Sequence, residues 1–149
     1  MAQHTGVSRL LLIGTVFASA LVLTGCAPGS GPVTDYPGLP VVNEELDPGV
    51  PIEEPTGDEP FVQYLGDGGR LAVTIWGSST CPVVGKDLVV TAKAHEGNAV
   101  EVVLPEPDNG PCTMDFVPHT TEFSTPYDVT TTKPLEVTIG DAVVTVPIK

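Results

Sequence analysis

The chain has 149 residues, 19 acidic against 6 basic, and a formal net charge of −13. Nowhere do Lys and Arg gather into a stripe that could release counterions from a phosphate backbone, so nucleic-acid binding is disfavoured. The length leaves room for one domain once the ends are discounted. Val and Thr are abundant, aromatics few, and helix formers scarce after residue 26, which points to a folded part made of strands.

Met1 to Arg9 carries the α-amine and Arg9 with no acidic residue, and Leu10 to Leu23 is an uncharged, mostly apolar run. That order is an export signal's n-region and h-region. The run is shorter than the ~20 residues a membrane-spanning helix needs. Leu23-Thr24-Gly25-Cys26 follows it directly and resembles the lipobox of bacterial lipoproteins. The resemblance implies that the Cys26 thiol receives diacylglycerol, that residues 1–25 are removed, and that the mature protein sits on the outer face of the cell membrane. Two buried acyl chains at ~0.8 kcal/mol per methylene make a durable anchor, where one chain binds reversibly. An ordinary cleaved signal with an incidental Cys, or a spanning helix, is the alternative.

Residues 26–60 read as a tether. Ala27 to Pro60 contains eight Pro, five Gly and eight acidic residues, with no Lys or Arg and no apolar periodicity. Such a composition buries too little apolar surface to offset its ordering entropy. Extended, the segment would reach roughly 100 Å at ~3.1 Å per residue. Its carboxylates, Glu44, Glu45, Asp47, Glu53, Glu54, Asp58 and Glu59, read as solvated charge and not as a cation site.

From Phe61 to Lys149 alternation sets in. Leu135–Ile139 and Ala142–Ile148 flank Gly140-Asp141, a two-residue loop with Gly first, as a type II′ turn requires. That register sets Val137 opposite Val144 and Leu135 opposite Val146. Leu88–Ala94 and Asn98–Leu104 flank His95-Glu96-Gly97, which fits a three-residue loop with Gly97 left-handed. The implied pairs are Ala92 with Val100, Val90 with Val102 and Leu88 with Leu104. Further strands are expected at Leu71–Trp76 and at Cys112–Val117, the latter with Cys112, Met114 and Phe116 inward. Shorter ones are expected at Phe61–Leu65 and Tyr127–Thr131, and Pro105 to Pro111 is a loop. About seven short strands with no helix between them argue for an all-β, immunoglobulin-like β-sandwich, with a small β-barrel as the other possibility.

With Cys26 lipidated, Cys81 and Cys112 remain as an even pair in an oxidising compartment and are expected to form a disulfide. Two free thiols in a redox or metal role are the alternative, but the spacing is unlike C-x-x-C. Trp76-Gly77-Ser78-Ser79-Thr80-Cys81-Pro82 resembles a segment of small actinobacterial lipoproteins of unassigned function. Ser78 and Ser79 lack the Gly-x-Ser-x-Gly elbow of a nucleophile, so they read as a loop held by the neighbouring disulfide. Trp76 reads as a core or rim aromatic.

His95 falls in a hairpin loop and His119 at a strand end, with Glu122 as a conceivable co-ligand for a metal. Both read as surface histidines. Asp67 and Asp108-Asn109-Gly110 lack the full calcium-loop ligand set and read as turns. No cofactor and no metal are expected. The expectation is a lipid-anchored, non-enzymatic binding or structural module for an envelope or extracellular partner, with Trp76, Gly77, Ser78, Ser79 and Thr80 as the contact loop. A small extracytoplasmic hydrolase or redox enzyme is the alternative.

Overall fold

In the computed structural model, residues 31–47, 55, 57–107 and 109–149 are described. The expected export signal, the lipobox-like Leu23–Cys26 and its lipidation site lie outside the described residues, as do 27–30, 48–54, 56 and Asp108. Among the described residues no helix is long and apolar enough to cross a membrane.

Among the described residues eight strands form two four-stranded sheets: β1 (Pro32–Pro37), β2 (Phe61–Leu65), β3 (Arg70–Gly77), β4 (Asp87–Ala92), β5 (Ala99–Val103), β6 (Val117–Ser124), β7 (Leu135–Ile139) and β8 (Ala142–Val146). One sheet has the order β1-β6-β3-β2 and the other β4-β5-β7-β8, so the sheets remain open and stack as a sandwich. All neighbours are antiparallel except β5 and β7, which run parallel. Alternation decides the core. Val62, Tyr64, Leu71, Val73 and Phe123 from the first sheet meet Leu88, Val100, Val102, Leu135, Val137, Ile139 and Val146 from the second. Gly85, on the β3–β4 crossover, fits where no larger residue does, since a Cβ there would lie 2.7 Å from Phe123 Cζ.

The β7–β8 hairpin has the expected register, with Leu135 opposite Val146 and Val137 opposite Val144. Gly140 takes φ +58° and Asp141 does not turn positive, which fits the type II′ geometry. The β4–β5 hairpin differs from expectation by two residues, pairing Leu88 with Val102 and Val90 with Val100. The left-handed residue is Asn98, at φ +58°, and not Gly97. Lys93 O accepts from the N–H groups of Glu96, Gly97 and Asn98, so the loop runs over the six residues 93–98 and not over three, and a bulge at Thr91 shifts the register between Val90 and Ala92. Asn98 holds the position because its side chain is engaged elsewhere. Its amide donates to the carbonyls of Thr130 and Pro134, both at 2.9 Å, and its Oδ1 accepts from Thr130 N–H at 2.8 Å.

Two expected strands are absent. Tyr127–Thr131 is a turn that contributes only Val129 to the core. Cys112–Phe116 is irregular, with Met114 and Phe116 turned to solvent, and the strand instead runs over Val117–Ser124.

The largest correction concerns the tether. Within it, Pro32–Pro37 forms β1 and pairs with β6, setting Tyr36 opposite Thr120 and Pro37 opposite His119. The folded unit therefore begins at β1, not at Phe61. Prolines at both ends are tolerated because β1 is an edge strand. From Pro37 the chain crosses the outer face of its sheet. Gly38 N–H donates to Pro118 O at 2.9 Å, Gly38 O accepts from the Thr120 hydroxyl at 2.7 Å, and the Asp47 carboxylate accepts from Gly66 N–H at the far edge. This cover explains why Ala72, Thr74, Thr120 and Glu122, all facing away from the core, are nonetheless buried. Beneath it, Tyr36 donates to Glu122 at 2.8 Å and Arg70 pairs with Glu122 at 2.6 Å, which compensates a carboxylate only 4 % exposed.

Candidate functional site

Two crossovers between the sheets meet at one end of the sandwich. Residues 78–86 lead from β3 to β4, and residues 104–116 lead from β5 back to β6. Cys81 and Cys112 join them by a disulfide with a Cα–Cα distance of 5.6 Å. The expected pairing is thus present, and it ties two loops that the strand ladders leave free.

Beside the bond lies a cluster of hydroxyls around one carboxylate. Thr113 Oγ1 is 2.8 Å from Ser78 Oγ, 3.2 Å from Ser79 Oγ and 3.3 Å from Thr80 Oγ1. Thr113 N–H donates to Thr80 Oγ1 at 3.0 Å, so backbone and side chain together hold the two loops in register. Asp115 Oδ1 accepts from Ser79 N–H at 3.1 Å and from the Thr113 hydroxyl. Donation from the Ser79 hydroxyl, then from Thr113 and the Ser79 amide, pulls the Asp115 carboxyl down to about 2. It is therefore ionised throughout the physiological range although it faces solvent. Met114 and Phe116 stand on the same strip of chain, Met114 fully exposed and Phe116 more than half.

Of the contact loop expected from sequence, Ser78, Ser79 and Thr80 belong to this cluster. Trp76 and Gly77 do not: they end β3, where Trp76 is half-buried opposite Pro118. Sequence reasoning missed Thr113 and Asp115 and assigned Met114 and Phe116 inward. The signal was available, because a Cys81–Cys112 bond brings the residue after Cys112 against the residues before Cys81.

The histidines stand elsewhere. His95 lies exposed in the β4–β5 loop beside Glu96. His119 Nε2 is 2.9 Å from Asp35 Oδ1, joining β6 to β1. His119 and Glu122 are three residues apart on one strand, so their side chains leave opposite faces and cannot share an ion. Asp67, at φ +55°, sits in the β2–β3 turn with Lys149 Nζ 3.4 Å from its Oδ1. Among the described residues no group of three or more His, Cys, Asp or Glu is placed to hold a metal.

Chemically, the cluster is a pre-ordered set of donors and acceptors with an apolar margin. A carboxyl held near 2 is a weak base, and general-base catalysis works best with a group that titrates near the operating pH. No family model, no curated protein and no solved structure matches this chain.

Proposed function

We propose that the protein is an extracytoplasmic lipoprotein, anchored through lipid on Cys26, whose sandwich serves as a non-enzymatic recognition module. The anchor is supported by the uncharged run Leu10 to Leu23 followed by Leu23-Thr24-Gly25-Cys26. The recognition surface is the disulfide-closed loop pair. It is carried by one observation: Met114 and Phe116 are exposed immediately beside Ser78, Ser79, Thr113 and Asp115, in a loop that a covalent bond and several hydrogen bonds already order. An ordered loop loses little entropy on binding, so a small contact area can still give useful affinity. Exposed large apolar side chains beside polar groups are the usual composition of a contact surface.

The test compares the intact protein with two variants, Met114→Ser/Phe116→Ser and Ser78→Ala/Ser79→Ala, each checked for unchanged thermal unfolding. Each is immobilised and passed over envelope extract. A component retained by the wild type and lost by both variants supports the reading. Equal retention by all three moves the contact surface elsewhere, and turnover of a hydrolase panel that vanishes with Ser78→Ala/Ser79→Ala overturns the non-enzymatic assignment.

A further inference from the structure

We propose that the end of the sandwich holding Gly31, Arg70 and Lys86 rests on the lipid headgroup surface, and that the disulfide-closed end faces away from it. This inference rests on the reading of Cys26 as the anchor.

Chain length is the first argument. Only five residues, hence six Cα–Cα steps, separate Cys26 from Pro32, where β1 begins. At most ~3.6 Å per residue, they span no more than roughly 22 Å, whatever their conformation. Because β1 is bonded into its sheet from Pro32 onward, the acidic segment after it cannot lift the domain. A tether of roughly 100 Å therefore becomes a leash shorter than the domain itself.

Strand direction is the second. Pro32 lies opposite Phe123 and Pro37 opposite His119. Arg70 lies opposite Ser124 and Gly77 opposite Val117. The leash thus enters at the Arg70–Ser124 end, and the Ser78–Cys81 and Cys112–Phe116 loops leave the Gly77–Val117 end. The eight residues of β3 between them cover roughly 23 Å at ~3.3 Å per residue.

Charge agrees with this orientation. A Cβ on Gly31 would lie 3.8 Å from the carbonyl of Lys86, an exposed residue whose backbone therefore runs beside the entering chain. Arg70 and Lys149 are at the same end, which also carries Glu122, Asp67, Asp47 and Asp87, so its basic residues are matched by carboxylates while the opposite end has none to match. At the opposite end, residues 37–41, 75–81 and 112–118 contain no Lys or Arg, and Asp115 stays ionised. An anionic headgroup layer attracts a basic residue within about a Debye length and repels an acidic pole. The recognition loops are then held outward by one length of the sandwich itself.

The test uses the full chain, lipidated in its host and reconstituted into vesicles containing anionic lipid and a headgroup-linked fluorescent acceptor. The acceptor is chosen with a transfer distance near the length of the sandwich. A small fluorescent amino acid replaces the exposed Ser124 in one sample and the exposed Met114 in another, and mass spectrometry of the same vesicles reports whether Cys26 carries lipid. Lipid on Cys26 with energy transfer severalfold stronger from position 124 than from 114 is the expected result. Lipid on Cys26 with equal or reversed transfer overturns the orientation and leaves the anchor standing. Absence of lipid on Cys26 overturns both.

Discussion

Replacing Cys81 and Cys112 together by alanine tests whether the bond between the crossovers acts as a constraint on the whole fold or only on the site. The two residues are 31 apart, and the loop they close encloses both β4 and β5. In the chain-entropy treatment, closing a loop of that size removes unfolded-state freedom worth roughly 3.7 kcal/mol. For a domain of this size the double variant should melt on the order of 10–20 °C lower than the oxidised protein. Urea unfolding followed by tryptophan fluorescence should show the same loss as a lower midpoint. A second readout separates site from fold. Asp115 sits near 2 because Ser79, on the opposite crossover, donates to it. Without the bond its carboxyl should rise toward the ordinary aspartate value in an NMR titration, while Ser79→Ala raises it with the bond intact. A loss below about 1 kcal/mol would refute the entropic reasoning, and an unmoved Asp115 would refute the claim that the bond orders the cluster.

Gly85→Ala should destabilise the domain by about 1–3 kcal/mol, because its Cβ would meet Phe123 Cζ at 2.7 Å and Val102 Cγ1 at 3.0 Å; chemical denaturation measures it, and adding Phe123→Leu should recover part of the loss. Asn98→Ala should cost about 2–4 kcal/mol, since it strips partners from Thr130 N–H and from the Thr130 and Pro134 carbonyls, and Asn98→Gly should cost less, having no Cβ at φ +58°. The Asp115 carboxyl is depressed to about 2, so its contribution is present above its unfolded value of ~3.9 and is lost as pH falls through about 2; Asp115→Asn should remove that part of the acid-limb slope in pH-dependent melting. Deleting residues 31–47 should strip the cover from Glu122, Thr120 and Thr74, leaving a protein that is aggregation-prone or unfolded by circular dichroism, and a peptide of residues 31–47 added in trans should restore the fold.

How legible the fold is from sequence depends on whether the deciding contact is local. The β7–β8 register could be read because one glycine and one alternation, both within twelve residues, settle it. The β4–β5 register could not, because the left-handed position belongs to Asn98, whose reason for adopting it is a set of carbonyls more than thirty residues further on. β6 was hidden for a related cause. Its sequence VPHTTEFS carries polar residues on both faces, since one face meets the core and the other lies under residues 38–47, where Thr120 bonds to Gly38 and Glu122 to Tyr36 and Arg70. The neighbouring Cys-Thr-Met-Asp-Phe alternates apolar and polar residues yet forms no strand, its apolar side chains serving the surface. At the site, Ser78 to Thr80 were found through the cysteine beside them, and Thr113 and Asp115 were missed because only the bond brings them near.

The segment before Phe61 shows where composition misleads physically. Counting prolines, glycines and carboxylates measures how little apolar surface a stretch can bury by itself. β1 does not need to bury much. It borrows the open edge of β6 for its hydrogen bonds, ties Tyr36 to a buried carboxylate, and leaves Val33 exposed. An edge strand of this kind is stabilised by what it covers in its partner, so Tyr36 and Asp35 fix it only together with Glu122 and His119, more than eighty residues further on. The functional consequence follows from the same fact. If Cys26 is the anchor, as proposed, its distance from the domain is set by the five residues 27–31, and the reach of the proposed recognition loops by the length of the strands.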